Sequence, residues 1–184
     1  MSKTGSGSWV CLALLGLVAC SSPAAPPAEG SAQVNFSVCT LPQQTISGPG
    51  GTPSGSKVGP NQTVLDGRGG YVVKCSVAGS GNSYSVSATI VGPDMTLTVD
   101  SKSVSPSGSG MATMSFATTQ TLNNTYSSAT DGCTLTTKST TTTGLTVRPG
   151  SIWATYDCPT TTDPNNLNNG CHTTGYIVFT GCDH

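Results

Sequence analysis

The chain has 184 residues and a formal net charge of −1 at pH 7, and charged side chains make up only 8% of it. Such sparse and balanced charge excludes a nucleic-acid-binding surface, which requires clustered Lys and Arg side chains. The length fits one domain of ordinary size plus short terminal segments.

The N-terminus has the features of an export signal. Lys3 supplies a positive charge, and residues 10–18 form an apolar run that is too short to span a bilayer. The run ends in Leu17-Val18-Ala19-Cys20, which resembles the lipobox of bacterial lipoproteins. This resemblance implies a signal peptide at residues 1–19 and lipid attachment to Cys20. The alternative is an ordinary secretory signal with an incidental cysteine.

A flexible tether is expected after the cysteine. Residues 21–33 are rich in Pro, Ala and Ser and show no apolar periodicity, so residues 20–33 are predicted to hold the domain off the membrane. Residues 34–184 are predicted to form one domain. Because Ser21 and Ser22 follow Cys20, analogy with enteric bacteria implies sorting to the outer membrane, on its periplasmic or its surface face.

Alternation of apolar and polar residues predicts strands along most of this domain. The cleanest case is residues 83–91, where four apolar side chains alternate with Ser and Thr. A Gly/Pro/Ser stretch at 47–60 predicts a long loop. The predicted strands lie at 34–39, 71–77, 83–91, 95–99, 112–118, 133–138, 143–147, 151–158 and 175–180.

Short strands separated by turn residues, with no sustained helical period, indicate an all-β sandwich or barrel. We expect an antiparallel β-sandwich of about seven to nine strands, stabilised by disulfides.

The cysteines are consistent with export. Cys11 leaves with the signal and Cys20 carries the lipid, so six remain of the 8 in the chain. An even number in an oxidising compartment predicts three disulfides, with fifteen possible connectivities. Metal binding is the alternative, but no CxxC spacing is present. The expected pairs are Cys158–Cys171, which closes a loop rich in Thr, Asn, Pro and Gly, then Cys75–Cys182, and by elimination Cys39–Cys133.

No catalytic or metal-binding constellation emerges. His172 and His184 are the 2 histidines, one in a Thr-rich loop and one at the terminus, and a general base needs a positioned partner. Asp157 and Asp163 come nearest to an acidic cluster, and residues 163–170 superficially resemble a calcium loop. Leu167 occupies a ligand position there, so a plain surface loop is the preferred interpretation. We therefore expect no enzyme activity, no metal and no cofactor.

Trp153 is the candidate ligand contact. Ile152, Ala154 and Tyr156 share one face of a predicted strand, so Trp153 points to the opposite face. The functional interpretation is a stacking platform for a sugar or peptide. The alternative, which we favour, is a Trp covered by the Gly/Pro loop or the N-terminal segment.

Four strings of the sequence carry a family resemblance: YVVKCSV at 71–77, PGSIWA at 149–154, Cys158-Pro159 followed by Cys171, and GYIVFTGCD at 175–183. Together they resemble a group of uncharacterised lipoproteins common in myxobacterial genomes, a group with no established activity. The resemblance implies a lipid-anchored, disulfide-linked β domain. Residues 72–82 and the C-terminal Cys182 are also similar to the mycobacterial 19-kDa lipoprotein antigen family, which supports a Cys75–Cys182 bridge.

These features predict a non-catalytic protein of the cell envelope or cell surface, with the membrane as its partner and no nucleic acid bound. A carbohydrate- or peptide-binding, adhesin-like module is the alternative. A hydrolase with dispersed catalytic groups is a third, less favoured one.

Overall fold

The computed structural model describes residues 26–39, 44–46, 63–93, 95–119, 124–138, 144–163 and 166–183, with the backbone alone at 44–46 and 166–169. Within these residues the chain forms twelve β-strands and no α-helix. The predicted all-β fold is confirmed. In this part of the chain no helix is long and apolar enough to cross a bilayer.

Every strand pairing in the described residues is antiparallel. The strands follow the order β2-β1-β12-β11-β8-β7-β6-β5-β4, with β3 on β1, β10 on β11, and β9 joining β11 to β7. Their bounds are β1 Glu29–Ser37, β2 Gln44–Ile46, β3 Val64–Leu65, β4 Val72–Ser80, β5 Ser83–Val91, β6 Met95–Val104, β7 Ser109–Thr118, β8 Thr125–Ser128, β9 Cys133–Thr136, β10 Thr146–Arg148, β11 Ser151–Asp163 and β12 Asn166–Thr180.

The twelve strands belong to one hydrogen-bonded sheet, whereas a sandwich consists of two sheets. The strand count also exceeds the prediction of about seven to nine. The strands that the pattern missed are β2, β3 and β8, which contain 3, 2 and 4 residues. Segments this short contain too few alternations to be recognised from hydrophobicity.

The sheet curls so that its β4 edge reaches the turn before β11 and the segment after β12. The amide of Val77 in β4 donates to the carbonyl of Asp183 at 2.9 Å, and the amide of Asp183 donates to the carbonyl of Cys75 at 3.0 Å. The amide of Gly150, in the turn before β11, also donates to Val77 at 2.9 Å. The outer edge of β4 is therefore joined to the turn before β11 and to the segment after β12, which protects it from pairing with another chain.

One hydrophobic core fills the curled sheet. The rings of Phe116 and Tyr156 stack with centroids 5.6 Å apart, and Phe36 meets Phe116 edge-on at 6.4 Å. β1 approaches β5 so closely that a Cβ on Gly30 would lie 2.8 Å from the δ-carbon of Ile90. The predicted inward faces of β5, β6 and β7 are buried, namely Tyr84, Val86, Ala88, Ile90, Met95, Leu97, Val99, Ala112, Met114 and Phe116.

The domain begins earlier than predicted. β1 starts at Glu29 and pairs with β12 from Glu29 opposite Thr180 to Ser37 opposite His172. Residues 29–33, assigned to the tether by their composition, are therefore strand, because β12 offers a full hydrogen-bonding partner that local sequence does not reveal. The predicted strand at 34–39 also ends earlier. Val38 has a φ of 68° and is 87% exposed.

All six cysteines predicted to form disulfides do so, but only one of the three predicted pairs is correct. Cys75–Cys182 is confirmed. Cys158–Cys171 and Cys39–Cys133 are wrong. The structure pairs Cys39 with Cys171 and Cys133 with Cys158.

The geometry of β11 and β12 explains the correction. The two strands continue as a ladder as far as Asp163 opposite Asn166, so residues 159–163 and 166–170, which the sequence assigned to a loose loop, belong to β11 and β12. Cys158 lies opposite Thr173, and a register shift separates it from Cys171. It faces the core instead, where β9 brings Cys133 beside it, because Asp157 pairs with Thr134.

Candidate functional site

Several predicted site residues lie outside the described part of the chain. These are the lipidation residue Cys20 and the terminal His184, together with the side chains of 164–169 in the calcium-like segment. Asp163, at the start of that segment, is buried. No group of three or more His, Cys, Asp or Glu side chains able to hold a metal ion is present among the described residues.

Trp153 lies on the outer face of β11, as predicted, but its ring is not open on all sides. It is half-buried between Thr146 of β10 and Val178 of β12, which are its cross-strand neighbours. Gly144, with a φ of 92°, packs against the ring, since a Cβ there would lie 2.4 Å from Cζ3. Among the described residues, the segment before β10 therefore covers part of the ring. The Gly/Pro loop at 47–60, which the sequence suggested as a cover, lies outside the described residues. This contact gives the ring a packing role.

The polar end of the same outer face holds a pair that sequence reasoning did not find. His172 Nε2 lies 2.7 Å from Asp157 Oδ1, and the two side chains are 37% and 58% exposed. Ser37 is the register partner of His172 on β1, so Ser, His and Asp lie on three adjacent strands. The antiparallel pairing of β11 with β12 brings Asp157 and His172 together, whereas the strands predicted at 151–158 and 175–180 did not include His172.

This arrangement does not form a nucleophile and base. The hydroxyl of Ser37 donates to the backbone carbonyl of His172 at 3.2 Å, not to its imidazole. An activated serine needs its hydroxyl on the base. The Asp157–His172 pair is therefore a surface ion pair when the imidazole is protonated, and exposed pairs of this kind contribute about 0–1 kcal/mol to stability.

A buried tyrosine network ties three strands together beneath this face. The hydroxyl of Tyr156 in β11 donates to the carbonyl of Gln33 in β1 at 2.9 Å, passing over Gly175 of β12. Burial, and then the neighbouring Tyr176, raises the pKa of Tyr156 well above its ordinary value. The phenol therefore stays neutral and serves as a hydrogen-bond donor inside the core.

A concave site lies at the seam where β4 meets the segment after β12. It has a volume of about 600 Å³, within the range of about 300–1,000 Å³ typical of small-molecule pockets. We call it the seam cavity. Its lining residues are Pro26, Ala28, Val73, Lys74, Cys75, Pro149, Gly150, Gly181, Cys182 and Asp183.

The seam cavity is apolar on most of its surface and carries one charge of each sign. The Cys75–Cys182 disulfide forms part of its wall. Lys74 and Asp183 are exposed and are the two charged residues among those lining it. The cavity is formed by the segment before β1, by β4, by the turn before β11 and by the segment after β12. These parts are far apart in the sequence, so no local sequence signal identifies the cavity.

Comparison with protein-family models, with curated proteins and with solved structures finds no match to this chain.

Proposed function

We propose that this chain is a lipid-anchored protein of the bacterial cell envelope, without catalytic activity, held at the membrane through lipid on Cys20. The observation that carries the proposal is the state of the cysteines. The chain contains 8 cysteines, and three disulfides use all six that follow Cys20. With Cys11 inside the signal, Cys20 is the one cysteine of the processed chain without a disulfide partner, as lipid attachment requires.

The disulfides also support export. The three bonds join parts of the chain with sequence separations of 132, 107 and 25 residues. Bonds of this kind form and persist in oxidising compartments such as the periplasm or the cell surface.

The distance from the anchor to the domain is short. Eight residues, 21–28, separate Cys20 from the start of β1 at Glu29. Fully extended, eight residues span at most about 29 Å. The start of β1 would stay within this distance of the bilayer surface. Pro26 and Ala28, which line the seam cavity, belong to the segment between the proposed anchor and β1.

Metabolic labelling with a palmitate analogue tests the anchor. Wild type should be labelled and Cys20→Ser should not. Cys11→Ser is the matched control, because it removes a cysteine that leaves with the signal, and it should keep the full label. Equal labelling of wild type and Cys20→Ser would refute the proposal.

Membrane fractionation tests the location. Wild type, with Ser21 after the cysteine, should fractionate with the outer membrane. Ser21→Asp should shift the protein to the inner membrane, by the same analogy with enteric bacteria. Recovery of wild type in the inner membrane would contradict the sorting proposal and leave the lipid anchor unaffected.

A further inference from the structure

The seam cavity combines an apolar interior with two opposite charges, and the proposed anchor places it near lipid. We propose that it binds the head group and first part of one acyl chain of a phosphatidylethanolamine-type phospholipid. Lys74 would contact the phosphate and Asp183 the ammonium group. The inference builds on the lipid-anchored function proposed above, since that function brings the cavity to the membrane.

The apolar part of the cavity suits a hydrocarbon chain. Val73, Ala28, Pro149 and the Cys75–Cys182 disulfide line it. Each methylene group that leaves water for such a surface is stabilised. A polar ligand without a hydrocarbon part would leave these groups without a partner.

The two charges define the head group. Lys74 and Asp183 both line the cavity. Among the described residues the ion pair is between His172 and Asp157, so Lys74 and Asp183 do not form an ion pair with each other there. A head group with both a phosphate and an ammonium offers each of them an opposite charge. A purely anionic head group would attract Lys74 but would be repelled by the carboxylate of Asp183.

Part of the backbone that lines the cavity is held by hydrogen bonds, which favours binding. The backbone amide of Asp183 is bonded to Cys75 and its carbonyl to Val77, so the Asp183 backbone is held in place. Gly181 has a φ of 67°, and a Cβ there would lie 2.7 Å from the carbonyl oxygen of Pro27, which leaves no room for a side chain. A preformed site loses less conformational entropy when a ligand binds.

Photo-crosslinking with a lysophosphatidylethanolamine that carries a diazirine in its acyl chain tests the proposal. The protein is the full chain with Cys20→Ser, so no attached lipid competes for the cavity. The probe is used below its micelle concentration, and labelled residues are mapped by mass spectrometry. We expect the label on peptides that contain Val73 or Pro149.

Charge variants make the test specific. Lys74→Gln and Asp183→Asn should each lower labelling of the cavity by about fivefold, the effect of losing one exposed charge pair. Lys102→Gln is the matched control, because Lys102 is an exposed lysine on β6 outside the cavity, and it should not change labelling.

Three results would overturn the inference. The first is labelling outside the cavity. The second is labelling of the cavity that Lys74→Gln and Asp183→Asn leave unchanged. The third is equal labelling by the corresponding lysophosphatidylglycerol probe, which lacks the ammonium group. Because the soluble probe needs no anchor, this experiment and palmitate labelling of Cys20 can fail independently.

Discussion

Gly175→Ala should destabilise the domain through one added methyl group. A Cβ at Gly175 would lie 1.9 Å from the carbonyl oxygen of Gln33 and 2.9 Å from the hydroxyl oxygen of Tyr156. The first of these atoms belongs to the backbone of a strand in the middle of a pairing ladder, so it cannot move by a side-chain rotation. Either β1 shifts away from β12, or the Tyr156 ring leaves its place.

The magnitude follows from these two contacts. Loss of the Tyr156–Gln33 hydrogen bond costs about 1 kcal/mol. Displacing packed groups to admit an extra carbon costs about 1–3 kcal/mol. Together they give about 2–4 kcal/mol, which lowers the Tm of a domain of this size by roughly 4–16 °C.

Thermal and urea unfolding of Gly175→Ala and of a control variant on β12 would measure the loss of stability. Gly170→Ala is the matched control on the same strand, because its Cβ would meet nothing closer than the methyl carbon of Thr160 at 3.5 Å. It should be neutral or stabilising by up to about 1 kcal/mol. Tyr156→Phe isolates the hydrogen bond and should cost about 1 kcal/mol. The reasoning is refuted if Gly175→Ala and Gly170→Ala unfold at the same urea concentration.

Three further predictions concern the disulfides, the buried phenol and the surface pair. Non-reducing peptide mapping should recover Cys39 joined to Cys171, and a fragment joining Cys171 to any other cysteine would contradict the strand order. Stability should fall as pH rises above about 10, because Tyr156 ionises in the unfolded chain near its ordinary pKa while burial keeps it protonated in the folded one. Tyr156→Phe should reduce that fall above the ordinary tyrosine pKa of about 10, and an unchanged pH profile there would count against it. His172→Ala should change the unfolding free energy by less than about 1 kcal/mol, and a larger loss would mean that the pair with Asp157 is more than a surface contact.

The alternation of apolar and polar residues was enough to predict a strand and its buried face where only one face of the strand is buried. Along β5 the sequence alternates apolar and hydroxyl side chains, and the burial of Tyr84 and Ile90 follows the same alternation. At Trp153 local pattern was sufficient for the direction of the side chain but not for what covers it. Gly144 reaches the ring through the pairing of β10 with β11, which depends on residues beyond the strand itself.

The expected Cys158–Cys171 bond shows where local reasoning stops. The composition of the intervening segment suggested a loop that needed a covalent link, whereas β11 and β12 pair through it and the backbone bonds hold it. Which cysteines meet depends on strand order and register. A shift of one residue in register turns a side chain to the opposite face of the sheet.

Local sequence patterns were enough to predict the all-β class, the inward face of β5 and the number of disulfide cysteines. Each of these follows from neighbours along the chain, from periodicity or from a count. The single curled sheet, two of the three disulfide pairings, the Asp157–His172 pair and the seam cavity depend on tertiary structure. Those features bring together residues that are far apart in the chain, and their positions depend on strand order and on where the β4 edge meets the rest of the sheet.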